Sequence, residues 1–255
     1  MRVSNATRPY EKEKGSVQAL LNYWIKKCKA NVANGSRKEF LKNVKTIVTD
    51  FEKIPMTGEK KPKVGIVGEI LVKFHPGANN QLVSVIEDEG GEAVVPDLID
   101  FINYCLLDKV NSHNITTRDF FKWAFGSLAV LYIETFYRRP MRKALDKSRF
   151  FLNLNTTYSL AQKVKGIISL SNQTGEGWLL TAEMVELIEE DIPNIICVQP
   201  FGCLPNHITG KGVIKELKKR YKNANIVAID YDAGDSEIHQ LNRIKLMMGM
   251  RKDND

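Results

Sequence analysis

Cysteine is scarce in this chain, and so is any long apolar run. Only Cys28, Cys105, Cys197 and Cys203 occur among 255 residues, and no two stand at the short spacings of a disulfide framework or a zinc site. The most hydrophobic stretch, Trp123 to Ile133, has 11 residues, short of the ~20 that a membrane helix needs. The first ten residues are polar and lead into no apolar segment of signal-peptide type. Glycine (17) and proline (9) occur at ordinary levels, which excludes collagen-like and low-complexity architectures. There is no GxGxxG, no Walker A loop, no HExxH, no zinc-finger spacing and no basic region followed by heptads. The expectation is a cytoplasmic protein with reduced thiols, no membrane span and no nucleic-acid module.

What the chain does have is a globular composition, 43% hydrophobic and 26% charged, with an excess of 37 Lys and Arg over 30 Asp and Glu. The basic runs at Lys26-Lys27, Lys60–Lys63, Arg138–Arg149 and Lys211–Lys222 fit solvated faces or an anionic partner. Residues 1–54 read as an N-terminal helical segment. Val17, Leu20, Leu21, Trp24, Ile25 and Cys28 recur at helical spacing, and a second helix begins after Asn34-Gly35-Ser36. The charged Pro/Gly stretch PMTGEKKP separates this segment from an α/β domain over 63–250.

In that domain, short Val- and Ile-rich runs alternate with helical patterns. Five strands are expected, in the runs 63–73, 92–96, 166–171, 195–201 and 225–231. Their continuous apolar character suits an open, mainly parallel α/β sheet with flanking helices. The alternation breaks over about 111–163, a helical insertion in which Thr116–Asp119 opens a long helix that Pro140 interrupts.

Ligands of open α/β sheets bind beyond the carboxyl ends of the strands. Five groups fall there: Gly68-Glu69, Pro96-Asp97, the turn Asn172-Gln173-Thr174-Gly175-Glu176-Gly177, Gln199 to His207, and Asp230 to Asp232. The turn is a candidate cofactor-binding element, since two glycines let backbone amides approach a phosphate; an unliganded tight turn is the competing reading. Cys203, just past an apolar strand, is either a nucleophile, an iron ligand or a bland cysteine. Cys105 is the second candidate ligand, and Cys28 and Cys197 are expected in the core. Cys203 and His207 stand at i, i+4, the spacing of a possible dyad, with Pro205 between them. Asp97, Asp230 and Asp232 suit acid–base work or helix capping.

Five strings carry a family resemblance: KVGIVGEILVKFHPGANN (63–80), EAVVPDLIDFINYC (92–105), SLSNQTGEGWLLTAEMVELIE (169–189), CVQPFGCLPNHITGKGVIKELKKRY (197–221) and NIVAIDYDAGDSEIHQLNRIKLM (225–247). They resemble the C-terminal region of acyl-CoA dehydratase activase-related proteins, of the 2-hydroxyacyl-CoA dehydratase and benzoyl-CoA reductase superfamily. The resemblance covers most of 7–248. It implies a flavodoxin-like fold in an anaerobe's cytoplasm and an iron–sulfur cluster, 4Fe-4S or double-cubane. It also implies an ATP-dependent activator as electron donor and an acyl-CoA as substrate of the complex. In the setting PFGCLPN the resemblance assigns Cys203 as a cluster ligand; from their placement in the sequence, Cys105 is the candidate second ligand, and Asn172, Gln173, Gly175, Glu176, Gly177 and Gln199 are expected to border the cavity.

The chain departs from the family in that the upstream half with further cysteines is short or missing and the ATPase domains are absent, as expected of one terminal piece of a larger system, encoded separately or truncated. The expectation is therefore a redox component whose cluster is completed by a partner chain, either a second dehydratase-like subunit or another copy. The alternative is a non-catalytic assembly domain with a degenerate site.

Overall fold

The structure is a computed structural model and describes residues 1–107, 117–146, 148–150, 155–232, 234 and 236–249. The start of the expected insertion, through Thr116, lies outside the described residues. Two compact units emerge.

The first unit joins residues 1–61 to 129–154, so the N-terminal segment and the second part of the expected insertion fold together. Its helices are α1 (Arg2–Asn5), α2 (Ser16–Asn34), α3 (Arg37–Glu52) and α8 (Arg139–Leu145). Val17, Trp24, Val48, Phe51, Ile54, Leu145 and Phe150 form its core. Glu11 secures the start of α2, its carboxylate accepting from the Gly15 and Val17 amides at 2.9 and 2.8 Å. Ser36 caps α3 by accepting from the Glu39 amide. Cys28, expected in the core, is only half-buried, because it lies at the margin of the stripe centred on Trp24.

Pro140 does not end the long helix α7 (Thr117–Ile133). A π-turn at Glu134–Arg138 follows α7 and leads straight into α8. Pro140 then falls in the first turn of α8, where a missing N–H leaves no intrahelical bond unmade.

The second unit, 62–128 with 155–255, is the expected open parallel sheet. Its strands are β1 (Lys63–Gly68), β2 (Glu92–Val94), β3 (Asn194–Gln199) and β4 (Asn225–Asp230), in the order β2-β1-β3-β4, all parallel. The helices, in chain order, are α4 (Ile70–Phe74), α5 (Leu82–Asp88), α6 (Leu98–Leu107), then the part of α7 up to Leu128, α9 (Thr157–Lys163), α10 (Gly177–Glu189), α11 (Leu204–Thr209), α12 (Ile214–Arg220) and α13 (Glu237–Gly249). Side chains alternate across the sheet with period two. Val64, Ile66, Ile196, Val198 and Ile229 pack on Leu82, Ile86, Ile244 and Met247, while Leu187 of α10 fills the space beside Gly65 on the opposite face.

The expected strand at 166–171 is not formed; the segment is a series of turns, and the described residues hold four strands where five were expected. Gly166 has φ +74°, and the Ser169 hydroxyl accepts from the Ser171 amide, so local bonds replace a ladder. Its apolar residues Ile168 and Leu170 instead pack against the cluster of Tyr104, Leu160 and Trp178.

At the free edge of β4, the outward carbonyls of Ala228 and Asp230 accept from Arg243 and Gln240 of α13. Side chains thus occupy acceptors that a foreign strand would use. No helix among the described residues is long and apolar enough to cross a membrane.

Candidate functional site

The strand order creates a switch point. From β1 the chain moves outward to β2, then returns past β1 to β3, so the connections leaving β1 and β3 diverge at their carboxyl ends. Gly68 closes β1, and Glu69 caps α4 by accepting from the Val72 amide at 2.8 Å. Gln199 closes β3; the turn Pro200-Phe201-Gly202 then delivers Cys203 to the start of α11.

Glu176 bridges the two sides of this switch point. One carboxylate oxygen accepts from the Ile70 amide at 3.0 Å, and the other accepts from the Asn206 side-chain amide at 2.8 Å. The Asn206 Nδ2 also lies 3.2 Å from Cys203 Sγ. Because a carboxylate only accepts, Glu176 orients Asn206 with its NH2 group toward both Glu176 and the sulfur. Asn206 is fully buried, and its Oδ1 has no partner among the described residues. Cys203 is half-buried, with exposed Phe201 and Leu204 on either side of it in sequence.

The turn at 172–177 is closed on itself. The Trp178 amide donates to Asn172 O at 2.8 Å, the Gly177 amide to Thr174 O at 3.2 Å, and the Tyr104 hydroxyl to Gln173 O at 2.9 Å. Gly177 has φ +47°, and a Cβ there would stand 2.2 Å from Asn172 O. A Cβ on Gly175 would stand 3.1 Å from Pro205. The amides of Gly177 and Trp178 are therefore already engaged, and the one anion the turn presents to a helix start is its own Glu176. The turn holds the site together; these two amides form no phosphate cradle.

Gln199 belongs to a neighbouring polar cluster. Its NH2 donates to Asp230 at 2.9 Å, and Lys211 Nζ donates to both Asp230 oxygens at 2.8 and 2.9 Å. Burial pushes the Asp230 carboxyl up, but the bonds from Lys211 and Gln199 outweigh it and hold it below the usual range. The stability this carboxylate contributes is present above its unfolded value, ~3.9, and is lost as pH falls through the lowered folded value. Lys211→Met should move the Asp230 titration, followed by carboxyl carbon NMR, to higher pH; an unmoved titration would show that the ammonium does not act on it. Asp232 accepts from the Phe201 amide at 2.9 Å and so braces the Cys203 turn.

The structure brings Cys203, Glu176 and Asn206 together. Among the described residues it shows no hydrogen bond between Cys203 Sγ and His207; the His207 Nδ1 lies 2.9 Å from the Cys203 carbonyl oxygen instead. Cys105 is on the exposed side of α6, whose neighbours Asn103, Tyr104 and Leu107 face inward. Cys197 is fully buried in β3, and burial pushes its thiol up to about 12. Among the described residues, no group of three or more His, Cys, Asp or Glu is arranged to hold a metal ion.

Lys73 and Asn206 were legible only as residues just beyond strand ends; Glu183 and its buried pairing with Lys73, 2.9 Å away, were not singled out from the sequence. A signal existed for Glu183, a charge inside the apolar run Leu179–Val185. Comparisons with protein-family models, with curated proteins and with solved structures each returned no match.

Proposed function

We propose that this chain is an iron–sulfur redox component that works with a partner chain in a system of the acyl-CoA dehydratase type. Its electrons come from an ATP-dependent activator, and an acyl-CoA is the substrate of the complex. The observation that carries this reading is the Cys203 thiol at the switch point of the sheet, with the Asn206 amide directed at its sulfur.

The donor set fits one ligand position. A half-buried thiol with an N–H donor suits a thiolate, whose negative charge that donor stabilises. Glu176 keeps the donor turned to the sulfur, and Asp232 holds the turn that presents it. The remaining cysteines are elsewhere: Cys197 sealed in the sheet, Cys105 on the outer side of α6 and Cys28 in the helical unit. On this reading a partner chain completes the thiolate set, and the exposed Phe201 and Leu204 near Cys203 in sequence favour a site covered by protein. When bound, the cluster supplies one-electron transfer, with its potential tuned by hydrogen bonds to sulfur and by burial.

The test is iron and sulfide analysis with EPR on anaerobically purified chain, alone and with a dehydratase-like subunit. Iron and sulfide should appear in the complex, and Cys203→Ser should remove most of both, whereas Cys105→Ser should remove less. Full iron in the Cys203→Ser complex would overturn the assignment.

A second reading is a non-catalytic assembly domain. It is favoured by the self-closed turn at 172–177 and by the Glu176 bridge across the crevice where a ligand would lie. In that case the complex forms without iron, and Cys203→Ser leaves its formation unchanged.

A further inference from the structure

The charge of the chain is divided unevenly. Residues 1–61 and 129–154 contain 20 Lys and Arg against 8 Asp and Glu, whereas 62–128 and 155–255 contain 17 against 22. The small positive total conceals a strongly basic helical unit and an acidic α/β unit.

One point on the helical unit combines this charge with exposed aromatic surface. The Arg37 guanidinium, at the first residue of α3, stands 5.0 Å from the ring centre of Phe40, 5.6 Å from Phe136 and 5.5 Å from Tyr137. Phe40 meets Tyr137 at 5.4 Å, and Tyr132 meets both Phe136 (4.7 Å) and Tyr137 (5.9 Å). The π-turn makes this grouping possible: its wider winding brings residues five apart onto one side, so Tyr137 and Phe136 both reach Tyr132. Tyr132, Phe136 and Tyr137 are 52%, 45% and 42% exposed, an unusual state for three touching rings.

Arg37 has no carboxylate partner among the described residues. The acids nearby in sequence or on the π-turn are engaged elsewhere: Glu39 accepts from Asn34, and Glu134 pairs with Arg138 and Arg142. Three rings hold the guanidinium in place while leaving its five N–H donors to other acceptors. Such a pre-oriented fork fits a carboxylate in two-point contact. Lys38, Lys42 and Lys45 of α3 are also exposed and without an ion pair among the described residues, but helical spacing sets them on the side of α3 turned away from Phe40.

We propose that this Arg37-centred cluster is the docking face for an acidic protein surface: a Glu or Asp seated on Arg37, and apolar side chains on the exposed rings of Tyr132, Phe136 and Tyr137. Charge complementarity selects the occupant. The aromatic and Arg composition matches the centre of protein–protein interfaces, where Lys is depleted and held to the margin. The exposed aliphatic Leu41, Leu131 and Met141 of the same unit suit a protein partner better than phosphates. This inference is independent of the iron–sulfur reading.

The test uses the full chain and two fluorescent probes: a synthetic helical peptide with Asp and Glu flanking a Leu/Phe stripe, and an oligothymidylate. Anisotropy titrations at low and high salt should show peptide binding that weakens with salt. Arg37→Glu should weaken it about tenfold or more, and Phe136→Ser or Tyr137→Ser several-fold. Lys215→Glu, an equal charge change on α12, should alter it little. Unchanged thermal unfolding of Arg37→Glu confirms an intact fold; if that variant unfolds, Arg37→Lys, which keeps the charge but loses the fork, takes its place with the same expectation. The proposal fails if the peptide does not bind, if the Arg37 substitutions leave binding unchanged, if the oligonucleotide binds more tightly than the peptide, or if sedimentation shows self-association through this face that Arg37→Glu abolishes.

Discussion

Lys73→Met should destabilise the α/β unit by about 3–5 kcal/mol, the range for breaking a buried ion pair from one side. Lys73 Nζ donates to both Glu183 oxygens, at 2.9 and 3.0 Å, and each side chain is only 2% exposed. Burial pushes the Glu183 carboxyl up; Lys73 opposes that rise, and the charges of Asp100 and Glu176 add to it. Without the ammonium, Glu183 is left among like charges in a site closed to water. The double variant Lys73→Met/Glu183→Leu removes both charges and should regain most of the loss, because no uncompensated ion then remains. Urea unfolding with hydrogen exchange at β1 and β3 amides reads the effect in this unit. A single-variant loss below about 1 kcal/mol would mean that water or another group replaces the lysine.

Gly68→Ala should cost roughly 3–5 kcal/mol, combining backbone strain with an overlap that cannot relax cheaply. Gly68 closes β1 at φ +136°, a conformation L side chains rarely adopt, and an added Cβ would stand 1.9 Å from Val198 O. That oxygen already accepts from the Glu69 amide at 2.9 Å, so moving it away loosens the junction of β1 and β3 where Glu176 and Cys203 meet. Loss of protection at the Ile70 and Glu69 amides should accompany the loss of stability. A stable Gly68→Ala protein with the same exchange pattern would show that the two strands can part there without penalty.

The open sheet was legible because its strands are continuous runs of Val and Ile between helical patterns, a texture that burial on both faces demands. The segment 166–171 shares that texture over a few residues, yet Gly166, Ser169 and Ser171 turn it by local bonds that no alternation of apolar residues reveals. Cys203 was legible as a thiol just past a strand. Its setting was not, because Glu176 reaches Ile70 across 106 positions and Asn206 across 30. The glycines at 175 and 177 invited a phosphate-binding reading; the contacts with Asn172, Tyr104 and Pro205 show why the same glycines serve a closed turn.

By itself, then, the sequence determined the class of fold and the order of β1 to β4 along the chain, since these depend on local periodicity. Tertiary structure alone decided which strand ends adjoin and that Glu176 spans the switch point. It alone paired Lys73 with Glu183, 110 positions apart, and gathered Arg37 with three rings across a π-turn. The physical reason is the same each time: a charge or a hydrogen-bond donor takes its meaning from the partner it meets, and that partner is chosen by packing over distances that neighbouring residues do not encode.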